Sequence, residues 1–270
     1  MAEAAPNQAS AAGDSSRRPI LEERGIVKTY GHVQALRGAD FTAYAGEVVA
    51  LIGDNGAGKS TLTKVISGVI SPDEGELLFD GQPVDIPSPA AAQRLGIETV
   101  FQDLALAPDL DGAANVYLGR EVMRPGLLGK LGVLDKRAMR GGAVDSFESL
   151  GVAIRDADVP VAYLSGGQRQ GVAVARAASW ASKVIIMDEP TAALGVVQTA
   201  NVLDVIRKVR DRGLAVVLIS HNMPEVLEVA DRIEVLRLGR RVATFTRADA
   251  TLESLVGAMT GALSQEEQPR

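Results

Sequence analysis

"EVVALIGDNGAGKST", residues 47–61, carries a strand, a turn and a helix start in one short stretch. Residues 47–53 are a continuous apolar run, as expected of a strand buried on both faces of a parallel sheet. From residue 59, Leu62, Val65, Ile66 and Val69 recur at helical spacing, with Gly68 and Pro72 near the predicted end. Between them, Gly53-x-x-x-x-Gly58-Lys59-Ser60 matches the phosphate-binding loop in the context that pattern needs. The glycines let the backbone wrap tightly, so successive N–H groups face an anion, and the helix start adds positive potential. Lys59 supplies a charge to the outer phosphates, and the Ser60 hydroxyl is a candidate ligand for Mg²⁺. A dinucleotide fingerprint fails, because Thr61 stands where its last glycine belongs. The remaining alternative is a glycine-rich turn with a chance lysine.

Outward from this unit, short apolar runs alternate with helical patterns, which predicts an α/β fold with a mainly parallel sheet. "KVIIMDEP" (183–190) and "LAVVLISH" (214–221) read as two more buried strands. Val202, Leu203, Val205, Ile206 and Val209 mark a helix between them that stops near Gly213, and residues 223–232 form a short helix with Pro224 near its first position. "IEVLRLGRRVATF" reads as a hairpin around Gly239, and residues 25–47 as antiparallel strands with turns at Gly31 and Gly46. Residues 91–180 carry helical patterns broken by Gly and Pro and are expected to form an inserted helical subdomain. The α/β core, with its N-terminal antiparallel β subdomain, then takes 20–90 and 181–262. Residues 1–19 and 263–270 read as disordered tails.

Bulk properties narrow the class. Lys and Arg total 28 against 34 Asp and Glu, a net charge of −6 without a basic block, which argues against nucleic acid as a partner. The absence of cysteine excludes disulfides, thiolate metal sites and a thiol nucleophile. The N-terminal residues lack the apolar core of a secretory signal, and the longest apolar runs are too short to span a bilayer. A soluble intracellular protein is the expectation.

Ligands of open α/β sheets bind beyond the carboxyl ends of the strands. Besides the phosphate loop, such ends carry Gln102, Asp188, Glu189 and His221. Asp188 suits a magnesium ion that keeps most of its waters. Glu189 beside it suits a general base for an attacking water. Gln102 can reach the metal or that water, and His221 the γ-phosphate. Each has a plainer reading: an acidic helix cap, a surface loop residue, a structural histidine. Convergence on one site is what favours chemistry. His32 has no such context and reads as a loop histidine. A further helix start, "LSGGQ" at 164–168, offers Ser165, Gly166, Gly167 and Gln168 as a second anion cradle, or as an ordinary capped helix.

The phosphate loop, Gln102, "LSGGQ", "IIMDEPTAAL" (185–194) and His221 occur in the order found in ABC transporter ATPase subunits, and the chain resembles that family from about residue 20 to 260. The resemblance implies a phosphate-loop NTPase fold, ATP with Mg²⁺ as ligands, and ATP hydrolysis. It implies a head-to-tail dimer in which "LSGGQ" of one copy closes on the ATP held by the other. The implied nucleotide contacts are Gly53, Asn55, Gly56, Ala57, Gly58, Lys59, Ser60 and Thr61, with Tyr30 stacking on adenine or, alternatively, packing on its sheet. Ser60, Gln102 and Asp188 are the implied metal set, and Glu189, His221 and Gln102 the catalytic set. Two departures stand out: Gly195 follows "TAAL" where the family has Asp, and Asp54 lies in the phosphate loop, expected to point away from the phosphates.

"FQDLALAPDLDGAANVYLGRE" (101–121) resembles subunits for monosaccharide uptake. That class implies a separate permease in two copies, an extracytoplasmic solute-binding protein as indirect partner, and a peripheral position on the cytoplasmic face of the membrane. The rival classes are ABC-type ATPases acting in DNA repair or translation and a GTPase switch. The first lacks its long coiled-coil insert here, and the second its Asn-Lys-x-Asp motif.

Overall fold

The computed structural model describes residues 18–152, 154, 158–192 and 194–262. Of the two expected disordered tails, all but Arg18 and Pro19 lie outside the described residues. In chain order the elements are β1 (Leu21–Tyr30), β2 (Val33–Ala43), β3 (Val48–Ile52), α1 (Lys59–Ile66), β4 (Glu74–Phe79), β5 (Gln82–Val84), α2 (Pro89–Arg94) and β6 (Ile97–Val100). Then come α3 (Gly112–Tyr117), α4 (Leu127–Lys130), α5 (Lys136–Leu150), a 3-10 turn (Val161–Tyr163) and α6 (Gly166–Trp180). The last part holds β7 (Val184–Asp188), α7 (Val196–Asp211), β8 (Ala215–Ile219), α8 (Met223–Val229), β9 (Arg232–Arg237), β10 (Arg240–Thr246) and α9 (Leu252–Thr260).

The continuous apolar runs become the middle of a six-stranded sheet, in the order β10-β9-β3-β8-β7-β6. All its pairings are parallel except that of β10 with β9. Strand pleating sends alternate side chains to opposite faces, so each strand feeds two cores. Val48, Ala50 and Ile52 of β3 pack with the helical face, together with Ile185 and Met187 of β7. Val49 and Leu51 join Val184 and Ile186 on the other face, where α1 and the second sheet lie. Full burial of a Val, Leu or Ile is worth about 1.5–3 kcal/mol each, which explains why both faces are apolar.

The second sheet is antiparallel, in the order β2-β1-β4-β5, with its first hairpin turning at Gly31 as expected, whereas Gly46 turns the chain from β2 into β3 of the parallel sheet and closes no antiparallel pair. An ionic cluster joins the two sheets. The Arg232 guanidinium bonds to Glu234, to Glu47 Oε1 at 2.7 Å and to the Thr42 carbonyl at 2.6 Å. Its cation also lies 5.3 Å from the Tyr44 ring centroid. Glu234 is fully buried, so removing one partner of this pairing would leave a buried charge uncompensated.

α1 is shorter than its apolar spacing predicts. It ends at Ile66, Gly68 turns left-handed at φ 69°, and the Val69 N–H bonds back to the Lys64 carbonyl at 2.9 Å. Val69 is left exposed after this C-terminal turn. Residues 91–180 are mostly helical, and they also supply β6, which pairs with β7 at the edge of the parallel sheet. That strand follows α2, which packs on the face of α1 and the second sheet, and ends just before Gln102.

Candidate active site

The phosphate loop owes its shape to its surroundings. At Gly53 a Cβ would stand 2.2 Å from the Leu236 carbonyl oxygen, and at Gly58, with φ 107°, one would stand 2.8 Å from Leu36 Cδ2. The loop is thus wedged between β2 and β9, and no larger residue fits these two positions. The β9–β10 turn supports it: Gly239 N–H donates to the Ala57 carbonyl at 2.9 Å, and its own carbonyl accepts from Arg37 N–H at 2.8 Å. Lys59 folds back into the loop, donating to the carbonyls of Gly53 at 2.6 Å and Asp54 at 3.0 Å. Burial lowers its pKa, against the pull of Glu189, Asp54 and Asp188. Asp54 is exposed and takes part through its carbonyl.

Parallel neighbours bring their carboxyl ends to one edge. There a cavity of about 630 Å³ is lined by Asn55, Gly56, Gly58, Lys59, Ser60 and Thr61 together with Gln102, Asp188, Glu189 and His221. These strand-end residues thus meet where the sequence expects them to. Glu189 has φ 50°, unusual for a side-chain-bearing residue, and its N–H is held by the Ile219 carbonyl of β8 at 2.9 Å. His221 Nδ1 lies 2.8 Å from Glu189 Oε2; the histidine is largely exposed and the carboxylate mostly covered. Asp188, the last residue of β7, has its pKa raised by burial first and by the Glu189 charge second. A nearby cation offsets that cost, and Lys59 already does so in part.

Ser60, Gln102 and Asp188 offer hard oxygen donors with a single carboxylate among them. Among the described residues no group of three or more His, Cys, Asp or Glu gathers into a cage. This donor set fits Mg²⁺, which completes its octahedron with water and phosphate oxygens.

Three expected nucleotide contacts are not among the cavity's lining residues. Gly53 and Ala57 act from behind, as acceptors for Lys59 and Gly239. Tyr30 ends β1, half-exposed, in register with Val33, which does line the cavity. Conversely, Val33, Gln34 and Arg37 of β2 and Leu238 of the β9–β10 turn line it unforeseen. Their residue types carry no signal; they come from antiparallel elements whose docking on the loop depends on the fold.

The "LSGGQ" helix start is a real cap. Ser165 Oγ accepts from Gln168 N–H at 3.3 Å, and Gln168 Oε1 accepts from Ser165 N–H at 2.9 Å, a reciprocal capping box. Gly166 and Gly167 occupy the first turn of α6, where N–H groups lack intrahelical acceptors. Ser165, Gly167 and Gln168 line a separate cavity of about 280 Å³ between α6 and α7, away from the phosphate loop. Gly166 borders another cavity, which it shares with Gln102 and Glu189; the phosphate loop itself lines neither. Gly195 caps α7 without a side-chain bond.

The sequence pattern of the ABC transporter family matches residues 36–192. The chain is 54% identical over 257 residues to the fructose import ATP-binding protein of Rhizobium meliloti, covering 94% of this chain and 98% of that one. It is 45% identical to a ribose import ATP-binding protein of Rubrobacter xylanophilus over 94% of its own length, but spans only 49% of that longer protein. The dimeric post-hydrolysis structure of an ATP-binding cassette with ADP and Pi superposes with a TM-score of 0.71 at 26% identity, covering 84% of this chain and 98% of that one. Match, identity and site geometry agree: the chain belongs to the ABC transporter family and is one of its ATP-hydrolysing cassettes.

Proposed function

We propose that the protein powers the import of a monosaccharide through a separate membrane permease, by closing with a second copy of itself around two ATP molecules. The gathering of Gln102, Asp188, Glu189 and His221 around the phosphate loop carries the hydrolytic part of this reading. The phosphate loop lines no cavity with the "LSGGQ" helix start of its own chain, which supports the dimeric part, since a partner's cradle would complete the site, as does the dimeric relative. The sugar-import names of the similar proteins support the substrate class.

ATP binds with its phosphates on the N–H groups of residues 53–61, and Lys59 leaves its loop carbonyls for the phosphate oxygens. Tyr30, half-exposed beside Val33, stacks on adenine. Ser60, Gln102 and Asp188 hold Mg²⁺, which neutralises phosphate charge when bound. Glu189 takes the proton of the attacking water, and His221 orients that carboxylate while facing the γ-phosphate. Ser165, Gly166, Gly167 and Gln168 of the second copy donate from the far side. The permease subunits, two copies, hold the cassettes at the cytoplasmic face, and the extracytoplasmic binding protein acts only through them. Among the described residues no helix is long and apolar enough to cross a membrane, so membrane attachment through the permease is part of the proposal.

Glu189→Gln is expected to keep ATP binding and lower turnover by about 10²–10⁴-fold, the usual share of a general base. Tagged Glu189→Gln purified with Mg-ATP should elute as a dimer and retain a permease. A variant with normal turnover would remove Glu189 from its role, and an ATP-loaded permease complex with a single cassette would remove the dimer.

A further inference from the structure

The segment after Gln102 contains two side-chain-bearing residues in left-handed conformations in succession, Leu104 at φ 59° and Ala105 at φ 45°. Such conformations are sparsely populated and persist only when the surroundings hold them. Here the holder is one side chain from another element. Arg176, on α6, donates Nη2–H to the Leu104 carbonyl at 2.9 Å and Nη1–H to the Ala105 carbonyl at 2.7 Å. A planar guanidinium suits this task, because its fixed pair of donors matches two adjacent carbonyls; a lysine ammonium has no such fork. The Leu104 side chain packs on the helical core, and its N–H bonds to the Phe101 carbonyl at 2.9 Å, so the turn is fastened on both sides.

The position of Arg176 along its helix gives the clamp its consequence. α6 opens at Gly166, behind the Ser165 cap, and Arg176 sits about three turns further on, roughly 16 Å along the axis. Gln102 lines the phosphate cavity two residues before the clamped turn. One rigid helix thus has the signature cradle at its start and the Gln102 segment bolted to its second half. Its last residue, Trp180, is fixed as well: Nε1–H donates to the Val116 carbonyl at 2.8 Å, the Arg120 guanidinium lies 4.9 Å from its ring centroid, and Arg120 pairs with Glu98 of β6 at 2.5 Å. The Gln102 segment and β6 are thus both tied by side-chain contacts to the second half of α6.

We propose that Arg176 is a positioning residue for hydrolysis: by holding Leu104 and Ala105 it places Gln102 at the phosphate cavity and locks that placement to the helix bearing Ser165. This rests on the role given to Gln102 above and adds the part that sets its position.

The test uses the full chain with Arg176→Met, Arg176→Lys and Arg176→Met/Ala105→Gly, against Gln102→Ala. Hydrogen exchange without nucleotide reads the clamp alone: Arg176→Met should speed exchange of the 103–106 amides by about tenfold or more through local opening. The emission of Trp180, the chain's single tryptophan, should shift with it. In Mg-ATP turnover, kcat should fall about tenfold with KM for ATP within twofold, the pattern of a lost transition-state contact. Arg176→Lys should recover only part of that loss. Ala105→Gly, which accepts the left-handed turn unaided, should restore part of kcat in the Arg176→Met background; a fold merely weakened by losing Arg176 would not recover. Unchanged exchange at 103–106 in both single variants overturns the clamp. Faster exchange with wild-type kcat overturns its role in hydrolysis. Wild-type kcat in Gln102→Ala would refute the reading of Gln102 while leaving the exchange result to judge the clamp.

Discussion

Glu23 is the side chain whose location its chemistry least suggests. It lies on β1, fully buried, and neither carboxylate oxygen has a hydrogen-bond partner among the described residues. Burial, and then the charge of Glu234, raises its pKa well above the ordinary carboxylate range. The folded protein therefore keeps this proton over a pH range in which the unfolded chain has released it. Stability linked to Glu23 is complete below the unfolded carboxylate's pKa and is lost as pH rises through the folded one. Glu23→Gln, which cannot ionise, is expected to be more stable than wild type at pH 8 by about 1–3 kcal/mol, the usual scale for a buried polar group left unpaired. The gain should shrink toward pH 4. Urea unfolding at both pH values checks this, and a constant difference would show that Glu23 does not titrate across the range. Residue type alone points Glu23 to solvent; the strand's pleat sends it inward with Leu21, and the pleat prevails because Leu21 and Ile26 must be buried. Glu189 and His221 are the opposite case, legible in the sequence because each ends a buried strand of a parallel sheet.

Elements divide in the same way. The apolar runs at 47–53, 183–187 and 214–219 become β3, β7 and β8, because only a doubly covered strand tolerates such uniform composition. The hairpin around Gly239 is also legible, but its task is not. Its turn reaches across to β2 and the phosphate loop, and a Cβ on Gly239 would stand 2.7 Å from the Ala35 carbonyl oxygen at a left-handed φ of 77°. Gly239→Ala is expected to displace the turn from Ala57, with a cost of about 1–3 kcal/mol for the strained backbone. ATP affinity should fall by about tenfold, since the loop loses a support on the side facing Arg37. Calorimetric titration with ATP measures this, and an unchanged Kd would show that the loop keeps its shape without the turn.

For the whole molecule, the proposed sandwich makes a demand that no single chain can meet. Lys59→Ala disables a chain's own phosphate loop, and Ser165→Ala disables the cradle it offers its partner. Each variant alone is expected to be nearly inactive. Mixed, they form a dimer with one intact composite site, because the good loop of one copy meets the good cradle of the other. Turnover of an equal mixture should recover to roughly a quarter of wild type by statistical pairing of subunits. If the mixture is no more active than its components, composite sites are excluded. The Ser165 hydroxyl also caps α6, so circular dichroism of Ser165→Ala should show only the loss of a cap, about 1 kcal/mol. The sequence by itself determined the α/β class, the phosphate loop, the strand-end residues and the capped "LSGGQ" helix, because each is written in local spacing and residue type. Only the tertiary structure decided that β2 and the Gly239 turn wall the phosphate cavity, that Glu23 is buried, and that Arg176 clamps the Gln102 segment. Those are contacts between elements far apart in the chain, and they exist only once the sheets and α6 have packed together.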